Sequence, residues 1–165
     1  MGNMLMVISK KGEDIADIME PYSVNHLTSF EGDANPNAKW EWYHEGGMWR
    51  AFISLKEGHY ADSAPIKDIN FVDDARYYYV LDWWYSNFDK FDTNEETRKF
   101  KEMSAGDFAR MKSRLYSREV LVDGEWISFD DEDVSEKDWS EGFYKRFIEG
   151  RDGTDIITIV DYGML

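Results

Sequence analysis

The stretch Asp155–Val160, D-I-I-T-I-V, limits the possible folds more than any other part of the chain. It is β-branched and apolar on both faces, which places a strand inside a sheet and not at a solvated rim. An interior strand needs neighbours, and candidates recur along the chain. Met4–Ser9 reads as a strand, and Gly12 breaks the run. Glu119–Val122 and Glu125–Phe129 flank Asp123-Gly124, a two-residue hairpin signal. Lys39–Tyr43, with Trp40 and Trp42 on one face, and Met48–Leu55 flank His44-Glu45-Gly46-Gly47. That pattern predicts a second hairpin with a glycine turn, its Trp residues paired across the strands. Lys67–Val72 alternates at Ile69 and Phe71 and predicts a third strand.

Helical signals lie between these strands. Glu13–Met19 has Ile15, Ile18 and Met19 at helical spacing, stopped by Pro21. Ser23–Asn37 is polar and reads as a loop. Asp73 and Asp74 can cap a helix through Tyr77–Phe88. Thr93 with Glu96 is a capping-box pattern before Thr97–Met103. Ser104 opens a helix with Phe108, Met111 and Leu115 on one stripe. Ser135 caps another, whose inner face is Trp139, Phe143 and Phe147, with Gly150 beyond its end. The 165 residues fit one domain, without repeat or linker. The expected fold class is α+β: an antiparallel or mixed sheet with helices mainly on one face.

Composition decides what such a domain can do. The chain has no Cys, which removes disulfides, Cys-based zinc sites and thiol nucleophiles. Its 7 Trp, 10 Tyr and 10 Phe supply core instead. Neither a signal-peptide core nor a membrane-length apolar run is present, so a cytoplasmic location is expected. Against 19 Lys and Arg stand 34 Asp and Glu, for a net charge of −15. A field of that sign repels nucleic acid and anionic membranes and attracts a partner with a basic surface.

The charge is uneven. Between Glu119 and Glu141 lie Asp123, Glu125, Asp130, Asp131, Glu132, Asp133, Glu136 and Asp138, with Lys137 as the only base. A solvated loop and helix start explain this run, since acids favour a helix N-terminus. A surface that imitates a row of phosphates also explains it, and such a surface fits a nuclease's basic channel. The countercharge is Arg98, Lys99, Lys101, Arg110, Lys112, Arg114 and Arg118 in one helical stretch. In the aromatic helix, Tyr77, Val80, Leu81 and Trp84 form the expected core face. Tyr79 and Trp83 fall opposite, where they could anchor a partner.

Candidates for bond-making chemistry are sparse. His26, His44 and His59 have no metal spacing, and His44-Glu45 lacks the second His of H-E-x-x-H because position 48 is Met. No phosphate loop, dinucleotide fingerprint or G-x-S-x-G occurs, so neither metal nor cofactor is expected. The enzymatic alternative is a metal-dependent hydrolase or nucleotide-processing enzyme using His44, Glu45 and Asp161.

The run Asn35–Trp49, N-P-N-A-K-W-E-W-Y-H-E-G-G-M-W, is the most specific feature. Its Trp40, Trp42, Tyr43, Gly46, Gly47 and Trp49 resemble N-P-x-A/S-K-W-D-W-Y-x-I-G-G-R-W, carried by a family of small tailed-phage and prophage proteins. Asp62–Phe71 and Ile159-Val160-Asp161 resemble that family's D-S-A…K-D-I-D-F segment and its closing V-D-x-H. The chain departs where Met48 replaces the family's Arg and where Tyr162-Gly163 replaces its final x-H. The resemblance implies phage origin and a host-cytoplasm location more than a mechanism. With the charge map, it predicts an accessory protein that binds and inhibits a host protein with a basic surface. A defence nuclease would be such a target, making this an anti-CRISPR or anti-restriction inhibitor. The contact residues would be Asp130, Asp131, Glu132, Asp133, Glu136, Asp138, Tyr79 and Trp83.

Overall fold

A computed structural model describes residues 2–27 and 32–164. Its centre is the strand expected to be interior. β8 (Ile156–Gly163) runs antiparallel to β1 (Asn3–Ser9) along one side. Its other side is shared end to end: β5 (Ser63–Pro65) pairs with its start and β2 (Trp42–Glu45) with its finish. Beyond β1 lie β6 (Glu119–Val122), parallel to it, and β7 (Glu125–Ser128). The order is β2-β8-β1-β6-β7, a mixed sheet. Asp123 and Gly124 both take positive φ in the β6–β7 turn, the conformation that this pair of residue types tolerates.

Strand alternation sorts the side chains into two layers. Met6, Ile8, Val120, Val122, Ile157 and Ile159 face the larger core, against α2 (Asp74–Asn87), α4 (Ala105–Ser113) and α5 (Glu136–Phe147). Leu5, Val7, Leu121, Val160 and Tyr162 face a smaller core closed by Met19 of α1 (Ile15–Met19) with Tyr22, Trp40, Tyr43 and Trp126. The fold is α+β, with the long helices on one face.

The capping residues set the helix starts. Asp73, Ser104 and Ser135 each accept the backbone N–H three residues on, satisfying donors that a helix start leaves free. Trp139, Phe143 and Phe147 of α5 are buried, and the Trp139 indole donates to the Ser117 carbonyl at 2.8 Å. That bond is needed because a buried indole N–H without an acceptor costs about 1–3 kcal/mol. α3 (Glu95–Arg98) starts one residue later than the capping-box pattern places it. Asn94, not Thr93, accepts the Glu96 N–H, while the Thr93 hydroxyl donates to Lys90.

The second hairpin does not form. β2 pairs with β8, residues 47–49 make a 3-10 turn, and β3 (Ile53–Ser54) pairs with β4 (Tyr60–Ala61). Glycines at 46 and 47 permit a local turn, and here they turn the chain off the sheet instead of back along it. Trp40 and Trp42 consequently part. Trp40 packs edge-on to Tyr43 in the smaller core, whereas Trp42 lies beside His44. No cross-strand Trp pair links either to Trp49, which packs against the larger core. Lys67–Val72 is not a strand either: Ile66–Asp68 is a 3-10 turn, and the strand there is the preceding β5.

Candidate functional site

Asn35–Trp49, Asp62–Phe71 and Ile159–Asp161 are far apart in sequence and meet in space. Their meeting point is the seam where β2 and β5 abut along β8. Ile159 bonds both: its N–H donates to the Asp62 carbonyl at 2.9 Å, and its carbonyl accepts from Gly46 at 2.8 Å. Two carboxylates fix the turn that follows. Asp62 Oδ1 accepts the Ala51 N–H at 2.6 Å, and Asp161 Oδ2 accepts the Met48 N–H at 3.0 Å. Gly46 and Gly47 both have positive φ, and a Cβ on either would strike the Asp62 or Asp161 side chain. At the far end of the motif, Asn35 is buried and donates to the carbonyls of Pro21 and Ser23, at 2.7 and 3.0 Å. The Trp40 indole donates to the Met19 carbonyl at 2.9 Å. Asn35, Trp40, Tyr43, Gly46, Gly47 and Trp49 of the motif therefore each have a packing, turn or hydrogen-bonding task.

The alternative site residues are partly united. His44 stands opposite Asp161 in the β2–β8 register, and Glu45 opposite Val160. Alternation then puts His44 and Asp161 on one face and Glu45 on the other. Asp161 is 6% exposed; one oxygen serves Met48 and the other, Oδ1, is buried without a partner among the described residues, against Gly2. His44 and Glu45 are exposed. Among the described residues no group of three or more His, Asp or Glu is placed to hold a metal.

The acidic run follows the edge strand β7. It occupies the 3-10 turn Phe129–Asp131, the bend after it and the first turn of α5. The structure divides it into two populations. Arg118 reaches Asp130 at 3.3 Å and Glu136 at 3.6 Å, Lys112 reaches Glu136 at 3.3 Å, and Arg146 reaches Glu132 at 2.7 Å. Asp131, Asp133 and Asp138 are exposed and form no ion pair among the described residues. Beneath the run, burial is the largest effect on Tyr116, whose hydroxyl is pushed well above its ordinary range; nearby Glu136 pushes it further, and Arg118 pulls it partly back. Burial also raises the Glu119 carboxyl, which bonds from the Trp126 indole at 2.8 Å and the Ser128 hydroxyl at 3.0 Å partly offset.

α2 presents the aromatic surface. Trp84 is buried and Tyr77, Val80 and Leu81 are half-buried on the core side. Tyr79 is 71% exposed, whereas Trp83 at 39% also stacks on Phe108 of α4. Tyr78 and Tyr85 are as open as Tyr79, at 65% and 66%. Sequence reasoning missed both, although their seven-residue spacing puts them one above the other on a helix. Among the described residues no helix is long and apolar enough to cross a membrane. Comparison with known protein families, with curated proteins and with solved structures finds no match to this chain.

Proposed function

We propose that this chain is a phage-type accessory protein that binds a basic surface of a host protein and blocks it. A nuclease effector of a host defence system, of the CRISPR or restriction kind, is the target class that fits. The observation that carries this reading is the set of exposed, unpaired carboxylates of Asp131, Asp133 and Asp138 on one turn and helix start, in a chain of net charge −15. Unpaired carboxylates keep their full field, so they steer association with a cationic channel and lose that pull as salt rises. Asp130, Glu132 and Glu136 contribute less, because Arg118, Lys112 and Arg146 already offset them. Tyr79 and Trp83, with Tyr78 and Tyr85, supply apolar anchors on α2. The resemblance of the Trp-Tyr-Gly-Gly motif to tailed-phage proteins supports the origin, and the host cytoplasm is the place where such a target works.

The test is affinity capture of the tagged chain from host lysate with stepped salt, beside the triple variant Asp131→Lys, Asp133→Lys, Asp138→Lys. A defence nuclease retained at low salt, released at high salt and lost by the folded variant is the expected result. Equal capture by the variant would remove the acidic run from the mechanism.

A further inference from the structure

We infer that the cleft between α5 and the segment 66–72 is a binding site for a small aromatic anion of the nucleoside-monophosphate class. The cleft has a volume of about 660 Å³, within the roughly 300–1,000 Å³ of small-molecule sites. Its floor is the buried apolar surface of Ile66, Ile69 and Leu115. Its wall is aromatic: Phe71 meets Tyr144 edge to face at 5.0 Å, and Tyr144 remains 45% exposed. An exposed ring beside an apolar floor is a surface on which a flat heterocycle stacks.

The charge at the rim chooses among apolar ligands. Lys56, Lys67 and Arg114 line the cleft, and Glu141 is the sole acid there among the described residues. The three cations form no ion pair within 4.0 Å among the described residues, although Lys67 lies near enough to help lower the Asp152 carboxyl. Glu141 is itself faced by Lys137 at 4.0 Å. Lys101, Lys112, Arg118, Lys137, Arg146 and Arg151 have a carboxylate partner, and the other Lys and Arg residues, Lys56, Lys67 and Arg114 among them, form no ion pair within 4.0 Å among the described residues. What distinguishes Lys56, Lys67 and Arg114 is that they converge on one apolar, aromatic-walled cleft, where their positive charge favours an anionic ligand. Arg114 also lines an adjoining hollow with Arg110, Asp74, Tyr77 and Tyr78, where two cations stand against one carboxylate. A guanidinium binds a phosphate through two parallel N–H donors. The Asn70 side-chain amide in the lining makes no hydrogen bond among the described residues, which leaves a donor and an acceptor for the edge of a base.

Calorimetric titration of the full chain tests this with the four ribonucleoside 5′-monophosphates, the parent nucleosides, inorganic phosphate and an acidic phenylalanine-containing peptide. At least one monophosphate is expected to bind about tenfold or more tighter than its nucleoside and than phosphate alone. Arg114→Gln should weaken it about tenfold and leave nucleoside binding unchanged. The double variant Lys56→Gln, Lys67→Gln, on the exposed rim, should weaken it also with an unshifted melting temperature. Absence of monophosphate binding, tighter binding of the peptide, or affinity untouched by both variants would overturn the assignment.

Discussion

Two sets of carboxylates in this molecule serve opposite ends. Asp62 and Asp161 sit at the β2–β5–β8 seam, where each accepts a backbone N–H and excludes a side chain from the adjacent glycine. Asp131, Asp133 and Asp138 stand in solvent and form no ion pair among the described residues. The first pair holds geometry and tolerates little change. The second set shapes only the field and is free to vary as far as the fold is concerned. An acid is therefore informative about function here when the fold has no use for it.

Substitutions at the seam should cost most. Gly47→Ala forces a side chain into positive φ and onto Asp161, so a loss of about 2 kcal/mol or more is expected from the denaturant midpoint. An unchanged midpoint would break the comparison at its stronger side. Asp161→Ala should cost about 1–3 kcal/mol by leaving the Met48 N–H unmet. Asp161→Asn should cost less, since it keeps an acceptor and replaces the unpartnered oxygen with a donor; the order of the two melting temperatures checks this.

Smaller effects sharpen the other side. The triple Lys variant at Asp131, Asp133 and Asp138 should shift stability by no more than about 0.5 kcal/mol per site. A cooperative unfolding curve that collapses instead would show these acids to be structural. Glu119 lies between the two sets, half-buried and hydrogen-bonded, with its carboxyl raised chiefly by burial. A raised carboxyl favours the protonated folded form. Its contribution is whole below the ordinary carboxylate range and is lost as pH rises through the folded value. Glu119→Gln should thus gain stability over the parent at neutral pH, and the gain should vanish in acid. A gain independent of pH would assign the effect to something other than ionisation.

Much of the fold was legible because its signals are local. β6 and β7 announce themselves through Asp123-Gly124, and α4 and α5 through Ser104, Ser135 and their apolar stripes. The interior place of β8 followed from its two apolar faces. The hairpin misreading at Gly46-Gly47 has the converse cause. A glycine pair states that the chain turns, and nothing nearby states that β2 will pair with residues 160–163. Asp161 shows the same limit, since its partner Met48 is remote in sequence. The basic cleft escaped notice because Lys56, Lys67 and Arg114 are scattered and only the packing of α5 against the 66–72 segment collects them.

The placement of β8 has a consequence for biosynthesis. β1 is made before β8 and is bonded to it along its length, so this partner does not exist while the residues between them are translated. At roughly 5–20 residues per second, β1 waits on the order of ten seconds for β8, with only β6 able to pair along its other edge in the meantime. The nascent protein passes through that interval without the strand that β1, β2 and β5 all pair with.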